Sequence, residues 1–382
     1  MKIAHLCLSN FYVDGFYYQE NALARRHKLS GHDVLIIAST ETYDDSRRLA
    51  YVMPGRYLNE HDIPVVRLPY RGEGVLPHKL IRRIRAHPGV RNELERFAPD
   101  VIFFHSLCGW ELLTAASYVH DNPNVLFYAD SHEMWLNSAR TFLSKNVLHR
   151  IYYRWVLRRA LPTIRKVLCT SLETMDFVRE LYGVEPSKLE WYPLGGDILT
   201  EQDYLQRRNA SRLRLGVGES DVVLYQAGKQ DSRKRILESL RAFRELAAPN
   251  LKLIIAGSID EACRAEVQSL MLTPNVTFLG WRSASDLQED LCGVDVYLQP
   301  GSQSATMQNA LCARCPVILW DYPSHRPLVD GNGWLLSDID QLSGVLREIS
   351  TNPAQLSAMS VRSVELARQY LDYGKQAERV LS

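Results

Sequence analysis

The chain has 382 residues, enough for two domains, and its 46% hydrophobic and 23% charged residues are typical of a globular protein. The net charge of +1 excludes a general polyanion binder, and no apolar run approaches the length of a membrane span. Because no secretory signal is visible and the seven cysteines are scattered, we expect a cytoplasmic protein.

Short apolar runs in the first half of the chain predict strands that are covered on both faces. They are Lys2–Leu8, Asp33–Ser39, Val65–Pro69, Val101–Ser106, Val125–Asp130, Val167–Ser171 and Glu190–Leu194. Helical patterns such as Tyr18–Ser30 and Ser171–Tyr182 lie between several of them. This alternation predicts a parallel sheet with helices on both sides.

The pattern restarts after a polar segment, 195–221, in which we place the linker near Gly195–Asp197. The second set of strands is Asp221–Ala227, Leu251–Gly257, Val276–Gly280, Val294–Pro300, Pro316–Asp321 and Gly333–Leu336, and its helices are Arg233–Ala248, Glu261–Met271, Ser283–Leu291 and Asp338–Ile349. A single helix is predicted over Pro353–Leu381. Two doubly wound α/β domains in series predict a ligand site at the carboxyl ends of the strands, in a cleft between the domains.

Two segments that directly follow predicted strands carry candidate binding residues. After strand 221–227, Gly228 permits a sharp turn, and Lys229 and Lys234 bracket a loop that begins a helix. Two cations and a helix N-terminus can hold a diphosphate, although a solvated loop with surface lysines explains the pattern equally well. The second segment is YADSHE, which contains Asp130 and His132 at the end of a predicted strand. His132 can act there as a hydrogen-bond donor, an acid or a base, or both residues have only structural roles.

Other chemistry has little support. The pair Asp338 and Asp340 looks like a helix cap rather than a metal site, so no metal is expected. Cys312 and Cys315 form a CxxC without a second pair, which favours packing in the core. The basic residues are not joined to a recognition motif, so we do not expect nucleic acid as a partner.

Taken in order, these segments resemble the GT-B glycosyltransferases of family 4, which are retaining nucleotide-sugar enzymes. The similarity covers nearly the whole chain, and the co-linear order of the motifs is a stronger signal than any single one. The matching segments are Met1–Ser9, Gly15, GHDV at 31–34, YADSHE at 128–133, PLGGD at 193–197, Gly228-Lys229 with Lys234, LIIAG at 253–257, VTFLG at 276–280, PVI at 316–318 and DGNG at 330–333. The resemblance implies a GT-B fold, with an acceptor domain at 1–196, a donor domain at 197–360 and a C-terminal helix at 361–382 that crosses back to the first domain.

The resemblance also implies roles for individual residues. Lys229 and Lys234 would hold the diphosphate of a nucleoside-diphosphate sugar without a metal or other cofactor, and would stabilise the charge that develops as it leaves. His132 would face the reacting sugar, and Asp130 would help to orient its loop. The loop that contains Asp14 and Gly15 would line the acceptor side. The sugar would be transferred with retention, in a same-face displacement in which the leaving phosphate takes the acceptor proton.

The stretch PGSQSATMQNA, 300–310, departs from the family pattern because it contains no acidic residue. Family members usually carry a Glu-x7-Glu pair there, with the first glutamate on the donor sugar and the second on the ribose. Counting from Pro316 places Asn309 at the second glutamate and Gly301 near the first, but the segment looks shorter than usual, so Gln303 or Ser304 is an alternative. The predicted donor-binding residues are Gly228, Gln303, Ser304, Ala305, Thr306, Gln308 and Asn309.

The implied acceptor is a glycan or a lipid-linked sugar. The stretch 140–166 is rich in arginine and interfacial aromatic residues and lacks acidic ones, which indicates either a surface that docks on an anionic membrane or a solvated helix face with core aromatics. Docking would place the protein on the inner face of the plasma membrane. The alternative function is a non-catalytic sugar-nucleotide binder or a partner subunit of a glycosyltransferase. A GT-B epimerase is disfavoured because stretch 300–310 offers no carboxylate.

Overall fold

The computed structural model describes residues 1–44 and 48–381, which form two compact units. Unit 1 comprises Met1–Pro193 together with the chain from Tyr373 onward, and unit 2 comprises Leu194–Asp372. Each unit has its own sheet and its own hydrophobic core. The predicted α/β class with two Rossmann-like domains is therefore confirmed.

Unit 1 is built on an eight-stranded sheet with the order β10-β9-β8-β7-β1-β2-β6-β5. Its strands are β1 (Lys2–Cys7), β2 (Asp33–Ser39), β5 (Gly55–Leu58), β6 (Pro64–Leu68), β7 (Val101–Phe104), β8 (Leu126–Ser131), β9 (Lys166–Cys169) and β10 (Leu189–Trp191), and β3 (Glu41–Tyr43) and β4 (Leu49–Tyr51) form a separate antiparallel pair. All pairings in the large sheet are parallel except that of β5 with β6. β5 was missed because its residues are exposed and carry no apolar run.

The helices of unit 1 cover the faces of this sheet. They are α1 (Gln19–Leu29), α2 (His78–Ile84), α3 (Val90–Phe97), α4 (Glu111–Asp121), a π-helix (Ser144–Tyr153), α5 (Arg154–Ala160) and α6 (Leu172–Phe177), which continues as a π-helical turn (Val178–Tyr182). Ser171 caps α6 by accepting a hydrogen bond from the backbone N–H of Thr174. No helix in residues 1–44 and 48–381 is long and apolar enough to cross a bilayer.

Unit 2 has a fully parallel six-stranded sheet with the order β13-β12-β11-β14-β15-β16. Its strands are β11 (Val222–Ala227), β12 (Leu251–Ala256), β13 (Val276–Phe278), β14 (Val296–Gln299), β15 (Val317–Trp320) and β16 (Gly333–Leu336), and its helices are α7 (Glu201–Leu215), α8 (Ile236–Leu246), α9 (Arg264–Leu270), α10 (Ala284–Cys292), α11 (Thr306–Cys312), α12 (Gln341–Thr351) and α13 (Gln355–Tyr370). Every strand predicted in the second half of the chain is present, with slightly narrower bounds.

The sequence pattern missed α7, which lies in the polar segment 195–221 after the predicted linker. Only a few of its side chains are buried, so its apolar face is too narrow to stand out in the sequence. Tertiary contacts hold it instead: Arg314, at the end of α11, pairs with Glu201 (2.5 Å) and stacks on the ring of Tyr204 (4.5 Å). Arg314 has φ +66°, so an arginine occupies a left-handed position after the helix, where glycine is the most common residue.

The predicted single helix over Pro353–Leu381 is two helices, α13 and α14 (Tyr373–Arg379). The chain leaves the helical path because Leu371 accepts a hydrogen bond from the N–H of Gly196 and Asp372 pairs with the same glycine in an isolated bridge. α13 belongs to unit 2, whereas α14 packs on α1 of unit 1. The last helix, α14, therefore lies in unit 1, whereas the predicted boundary at 361 lies inside α13 of unit 2.

Candidate functional site

Two glycine-containing loops meet at the carboxyl ends of β11 and β12. Gly228 follows β11 with φ +113°, and Gly257 follows β12 with φ +124°. A Cβ on Gly257 would lie 1.8 Å from the carbonyl oxygen of Gly228, so only glycine permits this approach. The backbone of the predicted diphosphate loop is thereby held against the neighbouring strand end.

The stretch 300–310 is fastened to the same loop. A Cβ on Gly301 would lie 2.1 Å from the carbonyl oxygen of Arg233, and the N–H of Ser302 donates to that oxygen at 2.8 Å. The ammonium of Lys234 donates to the carbonyl of Ser302 at 3.3 Å. The structure therefore brings together two of the predicted donor-binding segments, which are far apart in the sequence.

Lys234 is the central cation of this group. Its residue is only 8% exposed, and no described carboxylate lies within ion-pair distance of its ammonium. Burial lowers the pKa of Lys234 to about 8, against the charge of Asp231, which raises it. A buried ammonium without a counter-ion is unfavourable unless an anion binds beside it. The geometry around Lys234 is therefore that of an anion site.

Lys229 is placed differently. Its side chain is 61% exposed, and its ammonium lies 3.1 Å from a carboxylate oxygen of Asp260, which follows β12. The structure therefore pairs Lys229 with Asp260 rather than grouping it with Lys234. Its predicted contact with a diphosphate would require this exposed ion pair to open, and such pairs are weak.

The predicted donor-binding residues on and before α11 form one short surface. Gln303 has a buried Nε2 with no hydrogen-bond partner in the described chain, and the hydroxyl of Ser304 donates to that of Thr306 at 3.3 Å. Ala305 is exposed. The side-chain NH2 of Gln308 donates hydrogen bonds to the carbonyls of Ser304 (3.1 Å) and Ala305 (3.0 Å).

Asn309 lies beside the segment where unit 2 begins. Its Oδ1 is so close to Gly196 that a Cβ on that glycine would lie 3.0 Å from it. Stretch 300–310 thus presents amides and hydroxyls, and one buried amide donor lacks an acceptor.

Buried glutamines under this loop were missed in the sequence. Gln226 is the next-to-last residue of β11, Gln299 ends β14, and Gln230 lies in the diphosphate loop, and all three are buried. Gln226 donates to the carbonyl of Lys234 at 3.1 Å, while its Oε1 and the Nε2 of Gln299 have no partner in the described chain. The available signal was a polar residue near the end of an otherwise apolar strand.

In unit 1, Asp130 lies fully buried near the carboxyl end of β8. One carboxylate oxygen accepts a hydrogen bond from His105 Nδ1 (2.6 Å), and the other accepts one from the N–H of Ser106 (2.7 Å). Burial alone would raise the pKa of Asp130, but the charges of His105 and His132 hold it well below its usual range. Asp130 is therefore a buried anion.

Glu133 is a second buried anion near this strand end. It accepts hydrogen bonds from the hydroxyls of Ser106 (2.7 Å) and Ser131 and from the thiol of Cys108 (3.2 Å). These donors lower the pKa of Glu133 against the opposing effect of burial. The segment YADSHE thus has one anion, Asp130, before His132 and another, Glu133, directly after it.

His132 is the partly exposed member of this group, with 32% of its side chain accessible. Its Nε2 lies 3.5 Å from a carboxylate oxygen of Asp130 and has no hydrogen-bond partner in the described chain. Burial alone would lower the pKa of His132, but Asp130, with smaller effects of Glu20 and Glu133, raises it to about 9. At neutral pH His132 is therefore a cationic donor and not a general base.

Three histidines that the sequence pattern did not single out extend from Asp130 into the core. His105 Nε2 lies 3.0 Å from His5 Nδ1, and His5 Nε2 lies 3.0 Å from His27 Nδ1. His27 Nε2 then lies 2.9 Å from the carbonyl oxygen of Ala377 in α14. We name His105, His5 and His27 the imidazole chain; no sequence spacing could have revealed it because its members lie on different elements.

The predicted acceptor-side residues are held by neighbouring structure. Asp14 accepts hydrogen bonds from the hydroxyl of Tyr57 (2.7 Å) and from the buried guanidinium of Arg67 (3.2 Å). The N–H of Gly15, at φ +74°, donates to Glu60 at 3.1 Å. The carboxylate of Asp14 is thus committed to positioning its loop, and its contact with an acceptor stays a prediction.

Comparison with known proteins defines the class to which this fold belongs. The structure is similar to HepE of Anabaena in complex with UDP (16% identity, TM-score 0.68, covering 100% of this chain and 98% of that chain). It is also similar to WaaG, a glycosyltransferase involved in lipopolysaccharide biosynthesis (16%, 0.64, 99% and 99%), and to sucrose-phosphate synthase of Thermosynechococcus elongatus (14%, 0.66, 99% and 96%). The fold is that of the GT-B glycosyltransferases.

Two family models together match most of the chain. Residues 21–198 match Glycosyltransferase Family 4, and residues 208–366 match Glycosyl transferases group 1. The chain belongs to these GT-B glycosyltransferases, and the predicted resemblance is confirmed. No curated protein matched the sequence.

The raised pKa of His132 predicts a stability change at alkaline pH. Because the pKa is about 6.5 in the unfolded chain and about 9 in the folded protein, the stabilisation is complete below about pH 6.5 and is lost as the pH rises through about 9. The free energy of unfolding of wild type minus that of His132→Gln should therefore fall by about 2 kcal/mol between about pH 6 and pH 10. Urea unfolding at a series of pH values measures it, and a constant difference would contradict the ion pair with Asp130.

Proposed function

We propose that this glycosyltransferase moves a sugar, with retention, from a nucleoside-diphosphate sugar to a lipid-linked or surface-polysaccharide glycan. The observation that carries the donor is the buried ammonium of Lys234, which has no carboxylate partner among the described residues and lies against the backbone of Ser302. A diphosphate would supply the missing negative charge. The similarity to HepE, whose structure contains UDP, agrees with such a donor.

The proposed chemistry depends on positioning and electrostatics rather than on a metal or another cofactor. Lys234, joined by Lys229 once its pair with Asp260 opens, stabilises the negative charge on the departing diphosphate. The leaving phosphate takes the proton of the acceptor hydroxyl, so no protein base is needed. This fits His132, which is protonated at neutral pH and therefore suited to donate a hydrogen bond to the reacting sugar or phosphate.

In this chain, side-chain amides are proposed to bind the sugar nucleotide where family members use two glutamates. The unpartnered Nε2 of Gln303 is a donor for a sugar or phosphate oxygen, and Asn309 occupies the position of the family's second glutamate. Backbone N–H groups of Ser304 and Ala305, just before α11, would bind phosphate, whereas that of Thr306 already donates to the hydroxyl of Ser304 at 3.5 Å. A neutral amide binds a ribose hydroxyl more weakly than a carboxylate does, so donor affinity should be modest.

Replacing Lys234 should remove transfer activity. Lys234→Ala deletes the cation beside the leaving group, and we expect kcat to fall by about a hundredfold or more. The matched control is Lys252→Ala, because Lys252 is near the opposite end of the same sheet, on β12, where it pairs with Asp221 and Asn275. The measurement is nucleotide release from the sugar nucleotide that a thermal-shift screen selects.

The same assay separates the proposed enzyme from a non-catalytic binder. Activity of Lys234→Ala within a few-fold of wild type would reject the role of Lys234. A wild-type protein that binds sugar nucleotides but transfers no sugar to any glycan acceptor would favour the binding-protein alternative.

An exposed surface of unit 1 supports a membrane-bound acceptor. Leu143, Val147, Ile151 and Trp155 recur every fourth residue along the π-helix and α5, and all four are exposed. We name these residues the apolar stripe. Exposed cations, including Arg140, Arg150, Arg158 and Arg159, lie in the same segment, and 140–166 contains no acidic residue. Apolar and basic side chains on one helical surface are typical of proteins that lie on anionic membranes.

Charge introduced into the apolar stripe should weaken membrane binding. We expect Val147→Glu/Ile151→Glu to bind vesicles of anionic phospholipid about tenfold more weakly than wild type, because it removes apolar contact and adds repulsion. Leu213→Glu is the control, since Leu213 is an exposed apolar residue in unit 2. Co-sedimentation measures binding, and wild-type protein that stays in the supernatant at low salt would refute the membrane surface.

A further inference from the structure

A basic cavity of about 350 Å³ lies within unit 1 between α2 and the π-helix. Four cations line it, Lys79, Arg82, Arg83 and Arg85, together with one carboxylate, Glu133. Arg82 pairs with Glu41, and Arg85 donates to the carbonyl of Cys108 at 3.1 Å. Lys79 and Arg83 have no carboxylate within ion-pair distance in residues 1–44 and 48–381. The cavity therefore carries more positive charge than its own carboxylate balances.

The cavity is held in a fixed shape. The hydroxyls of Tyr152 and Tyr153, on the π-helix, donate to the carbonyls of Ile84 (2.9 Å) and Arg83 (2.8 Å) at the end of α2. Arg85, which terminates α2, has φ +52°, an uncommon conformation for a residue other than glycine. These bonds fix the positions from which the cations project.

The inner wall of the cavity belongs to the candidate site. Glu133 and Cys108 line it, and Glu133 is adjacent to His132 in the chain. Glu133 accepts hydrogen bonds from Ser106, Ser131 and Cys108 and forms no ion pair with the four cations in the part of the chain that the structure describes, so its single charge balances only one of them. Across the same π-helix, residues of the apolar stripe are exposed to solvent.

We propose that this cavity binds a phosphoryl group of the acceptor. Several cations, with arginine forks among them, favour a multiply charged phosphate over a single carboxylate. The inference rests on the proposed transfer reaction and narrows its acceptor to a phosphorylated compound. Its phosphate belongs either to a lipid in the bilayer or to a soluble sugar phosphate.

Calorimetry with octyl phosphate tests the cavity, with octyl glucoside as the uncharged comparison ligand. Lys79→Gln/Arg83→Gln removes the two unpaired, exposed cations, and we expect it to bind octyl phosphate about tenfold more weakly than wild type. Arg347→Gln, an exposed arginine of α12 in unit 2, is the control. Equal binding by wild type and double variant, or no binding by wild type, would overturn the proposal.

Competition identifies the source of the phosphate. Displacement of octyl phosphate by glucose 1-phosphate supports a soluble acceptor, and displacement only by phosphatidic acid vesicles supports a lipid. The test does not depend on the donor: a wild type that binds octyl phosphate but no sugar nucleotide would refute the proposed transfer reaction and leave the cavity intact, and the reverse result would refute the cavity alone.

The imidazole chain carries a second, independent inference, from counting protons. It runs between two acceptors, the carboxylate of Asp130 and the carbonyl of Ala377, through three rings and four hydrogen bonds. Each bond needs one proton, but three neutral imidazoles carry only one N–H each. All four bonds can form only when the chain holds one extra proton.

We propose that His105 carries this extra proton and acts with His5 and His27 as a positioning device. His105 then donates to both Asp130 and His5, His5 donates to His27, and His27 donates to Ala377. Burial lowers the pKa of His5 and of His27, the latter to about 4, so the charge belongs on the ring beside the carboxylate. The docking of α14 is thereby coupled to the charge beside Asp130. The other titratable groups nearby are Cys7, Glu20, His32, His132 and Glu133.

Nitrogen-15 spectra of histidine-labelled protein test the proton count. In wild type at neutral pH, both ring nitrogens of His105 should be protonated, with the signal assigned by its loss in His105→Gln. His27→Phe removes the outer link, so the remaining chain can be filled by neutral rings and His105 should lose one proton. His120→Phe, at an exposed position on α4, should change nothing.

The pKa of His132 is a second readout, and it distinguishes a positioning role of the imidazole chain from a role in packing alone. Without the extra charge, His132 becomes the main cation beside Asp130, so its pKa and the alkaline limb of the kcat profile should rise in His27→Phe. A wild-type spectrum in which His105 has an unprotonated nitrogen would overturn the proposal, whether or not the variant folds.

Discussion

The buried negative charge of Asp130 is the constraint around which unit 1 is organised. A carboxylate without solvent is stable only when hydrogen-bond donors and positive charge surround it. His105, the N–H of Ser106 and His132 provide them, and the imidazole chain extends the arrangement to α14. The charge state of His132 follows from this burial, because the negative charge of Asp130 keeps His132 protonated to well above neutral pH.

Unit 2 contains the opposite case, the buried positive charge of Lys234, which has no anionic partner in the described residues. Glycine at 257 and 301 allows three loops to approach within van der Waals distance, and this approach buries Lys234. The loops contribute backbone groups and glutamine amides, and their two carboxylates, Asp231 and Asp260, pair with Arg233 and Lys229 rather than with Lys234. A site of this kind suits a diphosphate, and its selectivity for sugar and base would depend on the shape and hydrogen bonding of the amides.

Much of this could be predicted from residues close together in the chain. The strands, most helices and the loops at 128–133, 228–234 and 300–310 follow from local apolar patterns and motif order. What could not be predicted depends on distant partners: α7 is held by Arg314, and Lys229 is paired with Asp260. The break between α13 and α14 likewise results from pairing with Gly196, more than a hundred residues away, for which a helical pattern gives no signal.

The α/β class, the family and the segments that carry chemistry follow from the amino-acid sequence, because strand periodicity and co-linear motifs are properties of neighbouring residues. Which of those residues are charged, buried or already held by hydrogen bonds depends on tertiary contacts. His27 and Ala377 are 350 positions apart yet share a hydrogen bond, and Asp14 is held by an arginine 53 positions away. Protonation depends on burial and on such contacts, and neither is encoded in local spacing.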